Sequence, residues 1–478
     1  MTVMRRGWFH LASGAGAGRL FGFASNLLLS RWLGPMDLGL FNLLTTTVQT
    51  TDTVVRCGGD YAINFELGGQ AESIQTQRGA RLAHSLAQIC SLITVLICAA
   101  VFIWVWWGQG LFPVELAASQ RSILSCFLLL MIACEGISAS AWEILLVSHR
   151  TAPLALRQGL FVPMRLLFAA VGALFIGISG ATAGWSIVAL VQCFWLRSVL
   201  GNLWKPLHIF PLFWNSIRVL LRRGFSFYAA NLLASIIFYP LLLKVAAGSG
   251  LAEIGYLRAG QILQQLFAFL PATLVPVLFL KLRGESTFAG QVVLIEKPLR
   301  MIWFVLLELL LLYCTFDRSL ILWLFGAEFV SALLPTRLLL ITALFECLAQ
   351  LLVQPLLAAG KARLYGYWQN GAAILAAVLG LIWIPTAGLA AFLIVRLLYV
   401  IVPLIGYGIP VLKQLPELRK IVPLALSTIG LSTLFFVQTL TESRFVTSAP
   451  VFVVSFFLVI FLQRQDLVLF RQALTIRS

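Results

Sequence analysis

Five arginines stand inside long apolar stretches of this 478-residue sequence: Arg19, Arg56, Arg165, Arg258 and Arg396. A guanidinium presents its N–H donors as a rigid fork and binds phosphate oxygens two at a time. Inside a membrane such a charge is expensive, and it faces a cavity or a partner instead of lipid. Several together are what a chamber for a pyrophosphate requires, because a buried polyanion cannot stay unpaired. At about 1.5 Å per residue, Arg19 lies about 15 Å from the inner end of its stretch. Arg165 and Arg396 also fall near mid-membrane, and Arg258 lies within a turn or two of the outer end. For each, the alternative is a structural ion pair or a side chain that snorkels to the nearest interface.

The acids in the same stretches are Asp52, Asp60, Glu66, Glu135, Glu143, Glu308 and Glu346. Asp52, Arg56 and Asp60 recur every four residues and share one helix face, so the acids can neutralise the arginine between them. Asp52 is also at a depth similar to Arg19 and could pair with it. Glu135 and Glu346 have no basic residue one turn away. A carboxylate stripped of water takes up a proton more readily, so Glu135, Glu346 and Asp52 are the candidates for ion coupling. Glu66 and Glu143 are close enough to the inner surface to be solvated. His10, His84, His149 and His208 lack metal-ligand spacing, and the eight cysteines form no CxxC. There is no nucleophile–base arrangement and no acidic pair placed for catalysis. The run GAGAG at 14–18 sits inside an apolar stretch with no strand before it. It reads as small residues for close helix approach, not as a nucleotide loop. The expectation is a transporter, not an enzyme, with no metal and no cofactor beyond a coupling ion, proton or sodium.

The elements that must position these residues are membrane helices. The chain is 60% hydrophobic and 11% charged, against about 25% charged in a soluble domain. Each span needs roughly 20 apolar residues, and breakers divide the sequence into about fourteen: 8–33, 40–67, 82–106, 121–147, 154–178, 181–200, 225–247, 254–280, 292–315, 333–359, 364–384, 389–407, 421–440 and 449–463. Lys and Arg total 34 against 18 Asp and Glu, a net +16. Most of these cations fall in the turns on the side of the N-terminus, so both termini are expected in the cytoplasm. The outer turns are short, which disfavours a membrane glycosyltransferase or polymerase that needs a sizeable outer loop. Trp32, Trp323 and Trp383 near outer ends, with Trp8, Trp204 and Trp214 near inner ends, suit aromatic belts.

The chain also repeats itself. LLVSHRTAPLALRQG (145–159) matches LLAAGKARLYGYWQNG (356–371), ATAGW (181–185) matches PTAGL (385–389), and SRWLGPMDLGLF (30–41) corresponds loosely to LKVAAGSGLAEIGYL (243–257). The expected layout is an N-lobe of six spans over 1–205, a basic amphipathic linker over 206–224, a C-lobe of six spans over 225–412, and two further spans with a tail over 413–478. Two such repeats meet at a substrate site near the bilayer midplane. In GRLFGFASNLLLSRWLGPMDLGLFNLL (18–44), Gly34 can end one helix, Pro35 can open the next, and Asp37 lies in its first turn. That segment, LILWLFGAEFVSALLPTRLLLITALFECLAQLLVQPLLAAGKARLY (320–365) and PTAGLAAFLIVRLLYVI (385–401) resemble the multidrug/oligosaccharidyl-lipid/polysaccharide (MOP) flippase superfamily in its polysaccharide, O-antigen branch.

The resemblance implies two six-helix lobes working by alternating access in the inner membrane. It implies an undecaprenyl-pyrophosphate-linked oligosaccharide as cargo, for O-antigen, capsule or exopolysaccharide synthesis. Related lipid-carrier flippases have arginines in spans 1, 2 and 8, which singles out Arg19, Arg56 and Arg258. The expected partners are that lipid-linked oligosaccharide, membrane lipids, and a polysaccharide polymerase with other envelope-synthesis proteins, and no nucleic acid. The competing readings are a cation-coupled small-molecule exporter of the same superfamily, for which a net basic chamber is unusual, and a non-transporting scaffold.

Overall fold

A computed structural model describes residues 2–56, 77–107, 118–148, 151–201 and 214–414, with Gly58, Ile63 and Trp204. Asp60, Glu66, residues 206–213 of the proposed linker and the last two expected spans lie outside the described residues. No strand occurs among the described residues. The helices are α1 (Thr2–Arg56), α2 (Gln77–Trp107), α3 (Ala118–Val147), α4 (Thr151–Leu156), α5 (Val162–Leu200), α6 (Trp214–Ser249), α7 (Leu251–Arg283), α8 (Phe288–Leu324), α9 (Leu333–Ala358) and α10 (Ala362–Leu412). A π-helical turn, Arg157–Phe161, joins α4 to α5, and a 3-10 turn, Ala327–Ala332, precedes α9. α6 runs unbroken from Trp214, so the inner part of the expected linker is the first turns of a membrane helix.

Among the described residues, seven segments are long and apolar enough to cross a membrane. Two of them are 49 residues long, about 74 Å if straight, against a hydrocarbon core of about 30 Å. Each is bent once. Gly177 (φ 61°) folds α5 and Gly388 (φ 52°) folds α10, a region of φ that side chains other than glycine avoid. The chain is therefore a multi-span, all-α membrane protein. α1 and α7 are not among the seven. They carry Arg19, Asn26, Asp52, Arg56 and Arg258.

The chain divides into two compact units. One gathers Met1–Ile262, Phe325–Thr336 and Gly366–Tyr399, and the other takes Leu263–Leu324, Arg337–Tyr365 and the chain from Val400. The first unit holds the kink of α1 at Gly34 (φ 70°), followed at once by Pro35. Gly250, between α6 and α7, has the same left-handed φ, 92°. The two turns meet face to face. A Cβ on Gly39 would lie 1.9 Å from the Leu251 carbonyl oxygen, and a Cβ on Gly255 would lie 1.9 Å from the Pro35 carbonyl oxygen. The two halves of the contact are related by one shift: 250 − 34, 251 − 35 and 255 − 39 all equal 216. It is a reciprocal contact between duplicated turns.

Three expectations change. The equivalent of Gly388 is Gly177 (388 − 177 = 211), the shift that also relates 145–159 to 356–371. The match of ATAGW to PTAGL is thus out of register, and Gly184 instead packs on the Phe168 carbonyl, where a Cβ would fall 2.2 Å away. Within GAGAG, Gly16 has open space around it and Gly18 is buried, and close backbone approaches occur at Gly39, Gly172, Gly180 and Gly255. Trp204 is no belt residue. It is 2% exposed, packs with Trp142, and donates its indole N–H to Ser140 Oγ at 3.1 Å. Trp32, Trp323 and Trp383 are exposed.

Candidate functional site

The first unit concentrates the charges. Arg56 closes the last turn of α1, where Nε donates to Asp52 Oδ2 at 3.0 Å and Nη1 donates to Glu143 Oε1 of α3, also at 3.0 Å. Asp52 therefore faces Arg56, one turn away, and not Arg19 as one expectation had it. Glu143 is the inter-helix partner of Arg56 and not a solvated acid. Pairing across 87 residues leaves no local signature.

Arg165 and Glu135 form a second pair, between α5 and α3. Both residues are buried, at 7% and 9% exposure. Arg165 Nη2 also donates to Gln192 Oε1, and its guanidinium lies 5.8 Å from the Trp185 ring centre. Glu135 has no basic neighbour on its own helix, as expected, but α5 supplies one. Protonating Glu135 would strand a buried guanidinium, so a coupling role for it needs Arg165 to move. Removing either partner costs about 3–5 kcal/mol when the other is left buried and charged. We expect Arg165→Ala and Glu135→Ala each to lower the melting temperature of the purified protein. The double variant should melt above either single one, and simple additivity would show that the two charges do not support each other.

Arg157 lies between α4 and α5. Its guanidinium stacks 4.3 Å above the Trp142 ring, within electrostatic range of Glu135, Arg56, Arg165 and Asp52. It is the first residue of the π turn. Pro163 has no N–H to return to the carbonyl of Gly159 and its ring crowds that carbonyl, so the turn widens there. Asp52, Arg56, Glu135, Glu143, Arg157 and Arg165 thus form one network of balanced formal charge.

Arg258 is differently placed. Its Nη2 donates to Asn26 Oδ1 of α1 at 3.1 Å, and its Nε is buried with no partner among the described residues. Asn26 is 1% exposed, and its own amide nitrogen bonds the Gly22 carbonyl at 2.9 Å. A buried asparagine two helical turns beyond Arg19 was a legible signal that the sequence reading missed. Arg19 is exposed on the same helix. Thr47 and Tyr239 add a second polar link between α1 and α6, 2.7 Å between hydroxyls.

Arg396 shares a face of α10 with Phe392 and Tyr399, four residues before and three after. Both rings pack edge-on against Phe238, with centroids 6.0 and 5.0 Å apart, and Gln369 Nε2 donates to the Tyr399 hydroxyl. In the second unit, Glu346 accepts the side-chain amide of Gln264 at 2.9 Å. No group of His, Cys, Asp and Glu suited to a metal ion occurs among the described residues.

No protein-family model matches the sequence, and no curated protein is similar to it in sequence. The fold has clear relatives among solved structures. One is lipid II flippase MurJ in an inward closed conformation, with TM-score 0.71 and 12% identity over 96% of this chain and 99% of that chain. Another is a MOP superfamily transporter from Pyrococcus furiosus, with TM-score 0.58 and 14% identity over 85% and 96%. An outward-facing multidrug resistance MATE family transporter of the MOP superfamily gives 0.58 and 15% over 87% and 96%. The fold is that of MOP superfamily transporters. The three structures named are those of a flippase and two transporters. The arginines expected in a phosphate chamber are thereby distributed over its helices: Arg19 and Arg56 on α1, Arg165 on α5, Arg258 on α7 and Arg396 on α10.

Proposed function

We propose that this protein is an inner-membrane flippase that moves an undecaprenyl-pyrophosphate-linked oligosaccharide outward by alternating access, for cell-surface polysaccharide synthesis. The observation that carries the reading is Arg258. Its guanidinium is held by a neutral amide, with Nε buried and unpartnered, so it retains both charge and donors for a phosphate. A cationic drug would find the opposite of what it needs there. The Phe238 and Tyr399 rings, with Gln369, offer apolar faces and neutral hydrogen bonds of the kind that bind sugars. The likeness to MurJ covers more of the chain than that to the MATE transporter and supports the same choice. The full reading has fourteen spans in two pseudo-symmetric lobes, with both termini cytoplasmic. A polysaccharide polymerase would receive the product.

The test is flipping in proteoliposomes, read as accessibility of the glycan to an impermeant reagent. One charge-assisted hydrogen bond is worth about 1.5–3 kcal/mol, so Arg258→Ala should slow flipping by about 10- to 100-fold. Arg258→Lys should restore part of the rate, because an ammonium keeps the charge and loses the fork. Wild-type flipping by folded Ala variants of Arg19, Arg56 and Arg258 would remove the chamber. Efflux of a cationic dye by those same proteoliposomes would favour the exporter instead.

A further inference from the structure

The membrane acids separate into two kinds. Asp52 and Glu143 hold Arg56, Glu135 holds Arg165, and Glu346 holds the amide of Gln264. Glu308 holds nothing among the described residues. Both of its carboxylate oxygens are enclosed by protein, and neither has a hydrogen-bond partner. It lies within the span expected at 292–315, about 24 Å from the inner end and about 10 Å from the outer.

The charged groups around it are engaged elsewhere. On α8, Arg300 pairs with Glu296, and Asp317 pairs with Arg337 of α9. α9 packs on α8 through Phe345 against Trp303, with ring centres 6.3 Å apart, and its acid there, Glu346, faces Gln264. An isolated carboxylate in such a setting would cost far more than its neutral acid. Enclosed polar atoms without partners also mark places where water enters when the structure opens.

We propose that Glu308 is a proton-binding site. It carries a proton in the conformation described here and gives it to water in one that hydrates α8, which makes the proton the coupling ion. The carboxyl O–H bond breaks and the carboxylate is left solvated, so no other reactant is needed. The meaning of the site for transport rests on the flippase reading, but its existence does not.

Dicyclohexylcarbodiimide tests it without substrate. The reagent adds to protonated carboxyls in apolar surroundings: the carboxyl oxygen bonds to the central carbon, the acid proton moves to a nitrogen, and the adduct rearranges to a stable N-acylurea. The full chain in liposomes is treated across a pH series, digested and read by mass spectrometry. Modification is expected at Glu308, falling as pH rises, and it should be absent at Glu135 and Asp52. Glu308→Gln, a neutral isostere, should lose the label and keep wild-type membrane abundance. Its flipping should no longer respond to an imposed pH gradient. An unmodified Glu308 at every pH in folded protein would overturn the proposal. So would a Glu308→Gln variant whose flipping follows the gradient as wild type does. Labelling of Glu308 in a protein that flips no oligosaccharide would uphold the site and count against the flippase reading instead.

Discussion

Placing a methyl group at Gly39 or Gly255 should push the protein out of the conformation described here and slow transport severely. A Cβ at either position would sit 1.9 Å from a backbone carbonyl oxygen, and backbone cannot swing aside as a side chain can. The turns can make room only by separating. Overpacking of this kind costs about 1–3 kcal/mol, enough to shift a conformational equilibrium by about 5- to 150-fold. Both contacts open by the same separation, so Gly39→Ala and Gly255→Ala should not add. Once one has parted the turns, the second has little left to disturb. On the topology argued from charge, the turns face outward. A cysteine placed at Thr47 in a cysteine-free background should then become reactive to an impermeant thiol reagent in either variant. Additive effects, or unchanged reactivity, would show that the contact does not close the outer end. Burial raises the carboxyls of Asp37 and Glu253, which lie in these turns beside Glu328 near Gly34. The contact should therefore be firmest below the ordinary carboxylate range and weaken as pH rises from there through their raised values.

The second large effect is expected at Arg56. Arg56→Ala strands Asp52 and Glu143, two carboxylates brought together by the guanidinium between them. The three side chains are half-buried, so the loss is less than the about 3–5 kcal/mol of a fully buried pair, and the variant should be less abundant in the membrane. Arg56→Lys should rescue it incompletely, because Nε and Nη1 serve two acids on two helices and one ammonium cannot reproduce that fork. Neutralising the acids as well, in Asp52→Asn with Glu143→Gln on the Arg56→Ala background, should restore abundance. Flipping by that triple variant decides the role of Arg56. Abundant but inactive protein means that its charge acts on the substrate. Abundant and active protein means that the network only holds α1 to α3.

The features legible in the sequence were those with local causes. Gly34 followed by Pro35 was readable as a turn because those residue types restrict φ wherever they stand. The i to i+4 bond from Arg56 to Asp52 follows from helix geometry alone. What escaped depends on helices separated in the chain. Glu143 sits near an inner helix end and looks solvated until α1 brings Arg56 to it. Glu135 looks unpaired until α5 brings Arg165. The widened turn that begins at Arg157 leaves no mark at that residue, because its cause, Pro163, stands six residues on. Repeats were legible as a period but not as a register. Gly177 and Gly388 align by backbone conformation, whereas the Thr-Ala-Gly letters near them align seven residues away.

The meeting of the two turns has a further consequence. Each carries a carbonyl where the other carries a glycine, so the surface around residues 34–39 is complementary to a copy of itself, as the isologous interface of a two-fold dimer must be. A half-length chain bearing that turn would already possess the means to associate with its twin before any covalent link between them. Fusion then frees the halves to diverge elsewhere, as at Arg165, whose counterpart at the shift of 211 is Ala376, while the glycine of one half stays bound to the backbone of the other.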